Sequence, residues 1–289
     1  MSDSTDAPDI DGNDGWPAQD RSVPAVPDLT GWLARRDTIR QFDPEADIPE
    51  TELREIIDAG RKVPTSGTIQ MYSFVRITDP DTRAKIHAHC GYGQPQVEES
   101  SHFLLVCVDL RRVRMLHEHR DLDFSMSPLS ALLKGSVDAS LAAQGAMIVA
   151  ESRGYGVCPI GAIGEQLDEV AQTVDLPAEV LPIWGLCIGV PSDEAPDRST
   201  PRVPLDAVLH DGEYRDPSPA LLEACYETMN ERYADSDRVW EGTLANYWTP
   251  APEGSMNDRE DTLLEALRRQ GFFAYRGVDE PVQPPTARD

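Results

Sequence analysis

Two uninterrupted apolar runs constrain the fold of this chain more than any other feature of its sequence. They read HFLLVCVDL at residues 102–110 and LPIWGLCIGVP at residues 181–191. A strand that is apolar at every position is buried on both faces, so each run predicts a central strand of a covered sheet. Two more strands are predicted by MYSFVRIT at residues 71–78 and by the start of GVCPIGAIG at residues 156–164, which continues as a glycine-rich turn.

A long helix is predicted over residues 129–154, ending at Gly154. It is rich in Ala, Ser and Gly, and such small side chains let another helix or a flat ligand approach the backbone. Helices and strands alternate without regular crossovers, and no GxGxxG fingerprint follows a first strand. The sequence therefore predicts an α+β sandwich. Shorter helices are predicted in LTGWLARR, TELREIIDAGRK, PDTRAKIHAHC, EQLDEVAQTVDL, PALLEACYETMNERYA and REDTLLEALRRQ.

The charge of the chain excludes several classes of partner. The 289 residues include 51 acidic and 26 basic side chains, a formal net charge of -25. Such a charge repels nucleic acid and anionic lipid, so neither is expected as a partner. Because the acidic residues are spread over the whole chain, we hypothesise a halophilic source, where molar salt shortens the reach of charge repulsion to ~3 Å.

The two ends of the sequence predict its domain organisation. Residues 1–27 are rich in Asp, Gly, Pro and Ser and predict an acidic disordered tail. Residues 28–289 are expected to form one domain, with a C-terminal excursion over about 216–289. No run of eighteen apolar residues and no secretory signal occur, so we expect a cytoplasmic protein without a membrane span.

The five cysteines favour neither a disulfide framework nor a metal site. Their number is odd, no CxxC motif occurs, and most of them lie in the apolar runs. Buried free thiols in a reducing compartment are the simplest interpretation. The histidines show no ligand spacing either, so no metal is expected.

Three groups of segments, in order along the chain, resemble the nitroreductase family. The first is RRDTIRQF at residues 35–42, with Arg36, Thr38, Arg40 and Phe42 at the family's positions. The second is PTSGTIQMYSF followed by GYGQPQV. The third is VDASLAAQGAMIVAESRGYGVCPIGAIG, then LPIWGLCIGVP and TPRVPLDAVLH. The match runs from about residue 30 to 215, and the closing QGFFAYRG is similar to the flavin reductase P and major oxygen-insensitive nitroreductase branch.

This resemblance implies a fold and a reaction. The fold would be a three-layer sandwich with a central, mostly antiparallel sheet, in an intertwined homodimer with FMN at the subunit interface. The helix at 129–154 would lie in that interface. NADPH or NADH would deliver hydride to the flavin by a ping-pong route, and nitroaromatics, quinones or free flavin would take the electrons. The flavin supplies the chemistry, so no catalytic side chain is expected.

The resemblance also implies which residues hold the FMN. Guanidinium groups of Arg36, Arg40 and Arg202 suit a phosphate, because their forked donors match its oxygens. Thr38 and Gln94 suit the polar edge of the flavin, and the segment 159–162 suits its flat ring. Each residue alone also fits an ordinary surface or turn position. The full predicted set is Arg36, Asp37, Thr38, Arg40, Thr65, Ser66, Gln94, Pro159, Ile160, Gly161, Ala162 and Arg202.

Several positions depart from the family pattern. Thr200 stands where the branch has a lysine, and Asp37 stands where it often has Arg or His. The segment that resembles the branch's NADPH loop, YADSDRVW at 233–240, is acidic. Arg238 is its only candidate for the nicotinamide cofactor, so no preference between NADPH and NADH follows.

Other functions remain open at this stage. The chain fits a flavin-binding carrier or sensor without turnover, or a related dehalogenase or desaturase. The acidic, Trp-containing stretch 233–257 also fits an interaction surface beside a degenerate flavin site. Reduction of a bound flavin by NAD(P)H, followed by reoxidation with a nitroaromatic, separates an enzyme from a carrier.

The halophile hypothesis makes one testable prediction. We expect the protein to keep its circular dichroism spectrum in molar salt and to unfold when diluted into low salt, because self-repulsion of a net charge of -25 is then poorly screened. Full stability in dilute buffer would count against the hypothesis.

Overall fold

The computed structural model describes residues 29–91, 93–125, 127–195, 200–234, 239–248 and 260–272. The chain divides into two units, Met1–Arg36 and Asp37–Asp289. Within the first unit the described part is helix α1, Leu29–Arg35. The predicted tail at residues 1–27 lies outside the described residues, so its boundary stays a prediction.

The second unit is built on a four-stranded sheet. Its strands are β1 (Tyr72–Ile77), β2 (His102–Asp109), β3 (Gly156–Ile160) and β4 (Val180–Gly189). Their order is β1-β2-β4-β3, and every neighbouring pair is antiparallel. The two apolar runs are therefore the two inner strands, which confirms the prediction for both.

The remaining elements of the described residues are helices. They are α2 (Glu50–Gly60), α3 (Pro80–His89), α4 (Gln96–Glu99), α5 (Arg111–His119), α6 (Pro128–Ser152), α7 (Leu167–Thr173), α8 (Pro219–Asn230), α9 (Trp240–Trp248) and α10 (Glu260–Arg269). None of these described helices is long and apolar enough to cross a membrane.

Helices cover both faces of the sheet and make three layers. On β2, Leu104 and Val106 pack into a core with α2 and α6, whereas Phe103 and Leu105 pack into a second core with α3 and α7. The alternation follows from the strand geometry, since successive side chains point to opposite faces. The predicted α+β sandwich with a mostly antiparallel central sheet is confirmed.

Helices α2 and α6 approach each other very closely. A Cβ atom added to Gly60 would lie 2.6 Å from the backbone nitrogen of Ala146, which is too short for any real contact. The glycine and the buried alanines of α6 thus set the distance between the two helices. At its end, α6 stops before Gly154, whose φ of 84° reverses the chain. The predicted stop is confirmed.

The described C-terminal helix packs on the same chain. Arg269 of α10 forms an ion pair with Asp168 of α7, and the backbone N–H of Glu179 donates to the Gln270 carbonyl at 2.8 Å. Phe272 and Leu267 join a third core with residues of β2, β4, α5 and α6. This part of the predicted excursion therefore belongs to the folded unit.

Candidate functional site

Two segments that are far apart in sequence meet at Asp37. Its Oδ1 accepts hydrogen bonds from the backbone N–H of Thr38 at 2.7 Å and from the hydroxyl of Thr200 at 2.9 Å. The bond to Thr200 joins the segment 37–40 to the segment 200–202. These are the segments that carry Arg40 and Arg202, two of the three cations predicted from the sequence.

Both arginines keep guanidinium donors available at the surface. Arg40 is exposed and donates one Nη1 hydrogen bond to the Thr38 carbonyl at 3.4 Å. Arg202 is exposed and donates Nη1 to the carbonyls of Thr200 at 2.7 Å and Pro201 at 3.1 Å. Arg36 is the last residue of the first unit, so its predicted role beside them stays a prediction.

The segment that carries Arg40 runs beside the outer strand β3. The N–H of Ile39 donates to the Val157 carbonyl at 3.1 Å, and a Cβ atom on Gly156 would lie 2.8 Å from the Ile39 side chain. Further along, Phe42 forms an isolated antiparallel bridge with Pro191. Strand β3 is therefore covered along its free edge by the predicted phosphate-binding segment.

The predicted floor segment lies where β3 ends. Pro159 and Ile160 are the last residues of the strand, and Gly161 and Ala162 begin the 3-10 helix Gly161–Gln166. A Cβ atom added to Gly161 would meet nothing within 4 Å. The backbone here faces open space, so a flat group has room to approach it.

The turn that carries Gln94 is attached to the same strand. The side-chain nitrogen of the buried Gln96 donates to the side-chain oxygen of Gln94 and lies 3.8 Å from the sulfur of Cys158. Cys158 immediately precedes Pro159. Because the oxygen of Gln94 accepts from Gln96, its amide nitrogen is the atom left to donate to a ligand.

His87 holds this turn, a role that was not predicted from the sequence. Its Nε2 accepts from the backbone N–H of Gln94 at 3.1 Å, and its Nδ1 contacts a carboxylate oxygen of Glu98. A backbone N–H can only donate, so Nε2 carries no proton and the Nδ1 proton is donated to Glu98. The histidine thus connects α3, the Gln94 turn and α4.

Thr65 and Ser66 are held at a different place, beside α6. The buried carboxylate of Asp138 accepts from the backbone N–H of Ser66 at 2.8 Å and from that of Met71 at 3.1 Å. A cavity of about 340 Å³ opens there. In the described part of the chain, no hydrogen bond joins these two residues to the Arg40 segment. The lining residues are Pro64, Thr65, Ser66, Leu133, Lys134, Val137, Asp138 and Leu141.

The cysteines near the sheet are unreactive as nucleophiles. Burial raises the pKa of the Cys90 thiol to about 12, and burial also raises the pKa values of Cys107 and Cys187. These thiols stay protonated at neutral pH. Cys90, Cys107, Cys158 and Cys187 all lie in the core with α3 and α7, and they are buried and form no disulfide, as predicted. The fifth, Cys225, is partly exposed.

The predicted nicotinamide candidate Arg238 lies outside the described residues, together with its acidic neighbours Asp235 and Asp237. The prediction for that loop therefore stays a prediction.

The role of His87 is testable by mutation. Replacing His87 by Ala removes the acceptor of the Gln94 N–H, and a partly buried unsatisfied donor costs about 1 kcal/mol of unfolding free energy. We expect that loss in a denaturant titration, with faster hydrogen exchange at the Gln94 amide. His119→Ala, in the exposed last turn of α5, is the matched control. Equal effects from both variants would contradict the assignment.

Comparison with known proteins agrees with this arrangement. The sequence pattern of the Nitroreductase family matches residues 33–190. The FMN reductase (NADPH) of Bacillus subtilis is 29% identical over 231 residues, which cover 76% of this chain and 91% of that protein.

Two solved structures share the fold over most of both chains. NfrA2 of B. megaterium superposes with a TM-score of 0.75 at 26% identity, covering 84% of this chain and 97% of the other. The NADPH:FMN oxidoreductase of Vibrio harveyi, solved with NAD+, has a TM-score of 0.72 at 25% identity and the same coverage, 84% and 97%. With its sandwich of helices around an antiparallel sheet and a family match over more than half of its length, this chain belongs to the nitroreductase family.

Proposed function

We propose that the chain is an FMN-dependent oxidoreductase that uses NADPH or NADH to reduce small oxidised acceptors. The observation that carries this proposal is the hydrogen bond between Asp37 and Thr200, 2.9 Å long, which joins the Arg40 segment, beside β3, to the Arg202 segment. The names of the relatives support it, since two of them are an FMN reductase and an NADPH:FMN oxidoreductase.

The residues of this site fit a flavin mononucleotide. Arg40 and Arg202 offer forked donors to a phosphate, and both are exposed. The open backbone at Gly161 leaves room for the flat ring. The amide nitrogen of Gln94 suits the polar edge of the ring, because its oxygen is already bonded to Gln96. One carboxylate, that of Asp37, lies among these groups and opposes an anion.

The bound flavin would supply the redox chemistry by taking hydride from a nicotinamide and passing electrons to a nitroaromatic, a quinone or a free flavin. The protein's own part is to bind and orient. A donor from Gln94 at the polar edge of the ring would stabilise the negative charge that reduction places there.

We propose further that two copies of the chain form a homodimer through α6. Four exposed apolar residues recur on this helix at every fourth position and form one stripe, and such a stripe marks an interface. The cavity beside Thr65 and Ser66 opens onto this stripe. A second copy seated there would bring its own Thr65 and Ser66 toward the flavin. The exposed fractions are 49% for Leu129, 64% for Leu133, 58% for Val137 and 41% for Leu141.

The halophilic source and the cytoplasmic location also remain proposals. The halophilic source rests on the net charge of -25, spread over the whole chain.

The phosphate assignment predicts the effect of removing each arginine. Arg40→Ala and Arg202→Ala should each raise the dissociation constant of FMN by about tenfold or more, because a hydrogen bond to a charged group contributes roughly 1.5–3 kcal/mol. Arg54→Ala, on the exposed outer side of α2, is the control and should leave the constant unchanged. Quenching of flavin fluorescence measures the dissociation constant of FMN for all three variants.

The same preparation tests the reaction. Absorbance of the bound flavin near its visible maximum should disappear on adding NADPH or NADH and return with a nitroaromatic. A colourless protein that refuses FMN contradicts the proposed function. A bound flavin that no nicotinamide reduces favours the carrier or sensor instead.

The dimer predicts a change of mass on disrupting the α6 stripe. Leu133→Asp and Val137→Asp place a charge in the proposed interface, so the molar mass from light scattering should fall to that of one chain. Ala84→Asp, exposed on α3 at the opposite face of the sheet, should leave the mass unchanged. A wild-type protein that is already monomeric would refute the proposal.

A further inference from the structure

The carboxylate of Asp37 binds the kinds of donor that a phosphate requires. Phosphate groups in proteins are held by backbone N–H groups, hydroxyls and guanidinium groups. Two of these donor types, the Thr38 N–H at 2.7 Å and the Thr200 hydroxyl at 2.9 Å, point at the same oxygen of Asp37. The side chain is half-buried between the two segments that carry Arg40 and Arg202.

The surrounding donors are also engaged within their own segments. Arg202 binds the carbonyls of Thr200 and Pro201, and Arg40 binds the Thr38 carbonyl. The two segments are therefore closed around the carboxylate of Asp37, which is an anion of the protein itself. An incoming phosphate has to displace this carboxylate from Thr38 and Thr200, or bind beside it against charge repulsion.

We propose that Asp37 is a specificity-determining residue whose carboxylate competes with the flavin phosphate for the donors of Thr38 and Thr200. It lowers the affinity of the site for FMN and reduces the advantage of FMN over riboflavin, which has the same ring without the phosphate. The protein consequently holds FMN loosely and exchanges it with free flavin. This inference rests on the proposed function, because it concerns the same site.

Two variants relieve the competition between the Asp37 carboxylate and the phosphate in different ways. Asp37→Asn keeps an oxygen that accepts from Thr38 and Thr200 but removes the charge. Thr200→Lys keeps the carboxylate and places a compensating charge next to it. A unit charge at a partly exposed site changes the affinity for an anion by about tenfold. We expect each variant to lower the dissociation constant of FMN by about that factor.

The test is a pair of titrations on the purified full chain, one with FMN and one with riboflavin, at one fixed salt concentration. Both variants should bind FMN about tenfold more tightly than the wild type and bind riboflavin within twofold of it. Asp43→Asn is the control, since Asp43 caps a nearby turn through the Glu45 N–H at 2.9 Å and its loss changes the net charge equally.

The outcomes are distinct. The role of Asp37 is overturned if the dissociation constants of both flavins change equally. It is also overturned if the dissociation constant of FMN changes in neither variant. An Asp43→Asn protein that gains as much FMN affinity overturns it as well, because general charge then explains the effect. If Asp37→Asn does not fold, Asp37→Ser, which also removes the charge, is titrated in its place. A wild type that binds neither flavin refutes the proposed function instead.

Discussion

Burial of β2 and β4 on both faces is the constraint on which the rest of this structure depends. Eight successive residues of β2 are buried, and residues 103–107 alternate between the core with α2 and α6 and the core with α3 and α7. A strand of this kind has no solvent face, so helices have to cover the sheet on each side. Strand β3 is left as an outer strand beside β4.

The outer position of β3 gives the site its location. One edge of β3 pairs with β4, and its other edge is covered by the short segment around Ile39, held by the N–H to Val157 at 3.1 Å. The Gln94 turn reaches the same strand through Gln96 and Cys158. Segments from two distant parts of the chain thus meet on this one strand, as they do at many sites where loops are carried by a rigid sheet.

The fold was largely predictable from the sequence because most of its elements have a characteristic pattern of apolar residues. The four strands and the long helix have unmistakable apolar patterns, and all were found within a few residues of their observed ends. Helices α4, α5 and α9 were not predicted. Helix α5 has only three apolar residues, Val113, Met115 and Leu116, and only Val113 of these is buried, so few apolar positions mark the helix in the sequence.

The site was predictable only in part. Resemblance to the family named the segments around Arg40, Gln94, Gly161 and Arg202, and the structure shows the first and last joined through Asp37 and Thr200. It could not name His87, Gln96 or Asp138. These side chains act on backbone amides or on another side chain across the fold, and no spacing in the sequence records which amide a side chain will meet.

Asp138 has a mechanical consequence for the loop that follows α2. Its two carboxylate oxygens accept from the N–H of Ser66 and the N–H of Met71, so one side chain on α6 holds both ends of a six-residue span. At the start of the loop, Gly60 is pressed against Ala146 of the same helix. The loop is therefore attached firmly to α6, so a tilt or slide of that helix moves Thr65 and Ser66 with it.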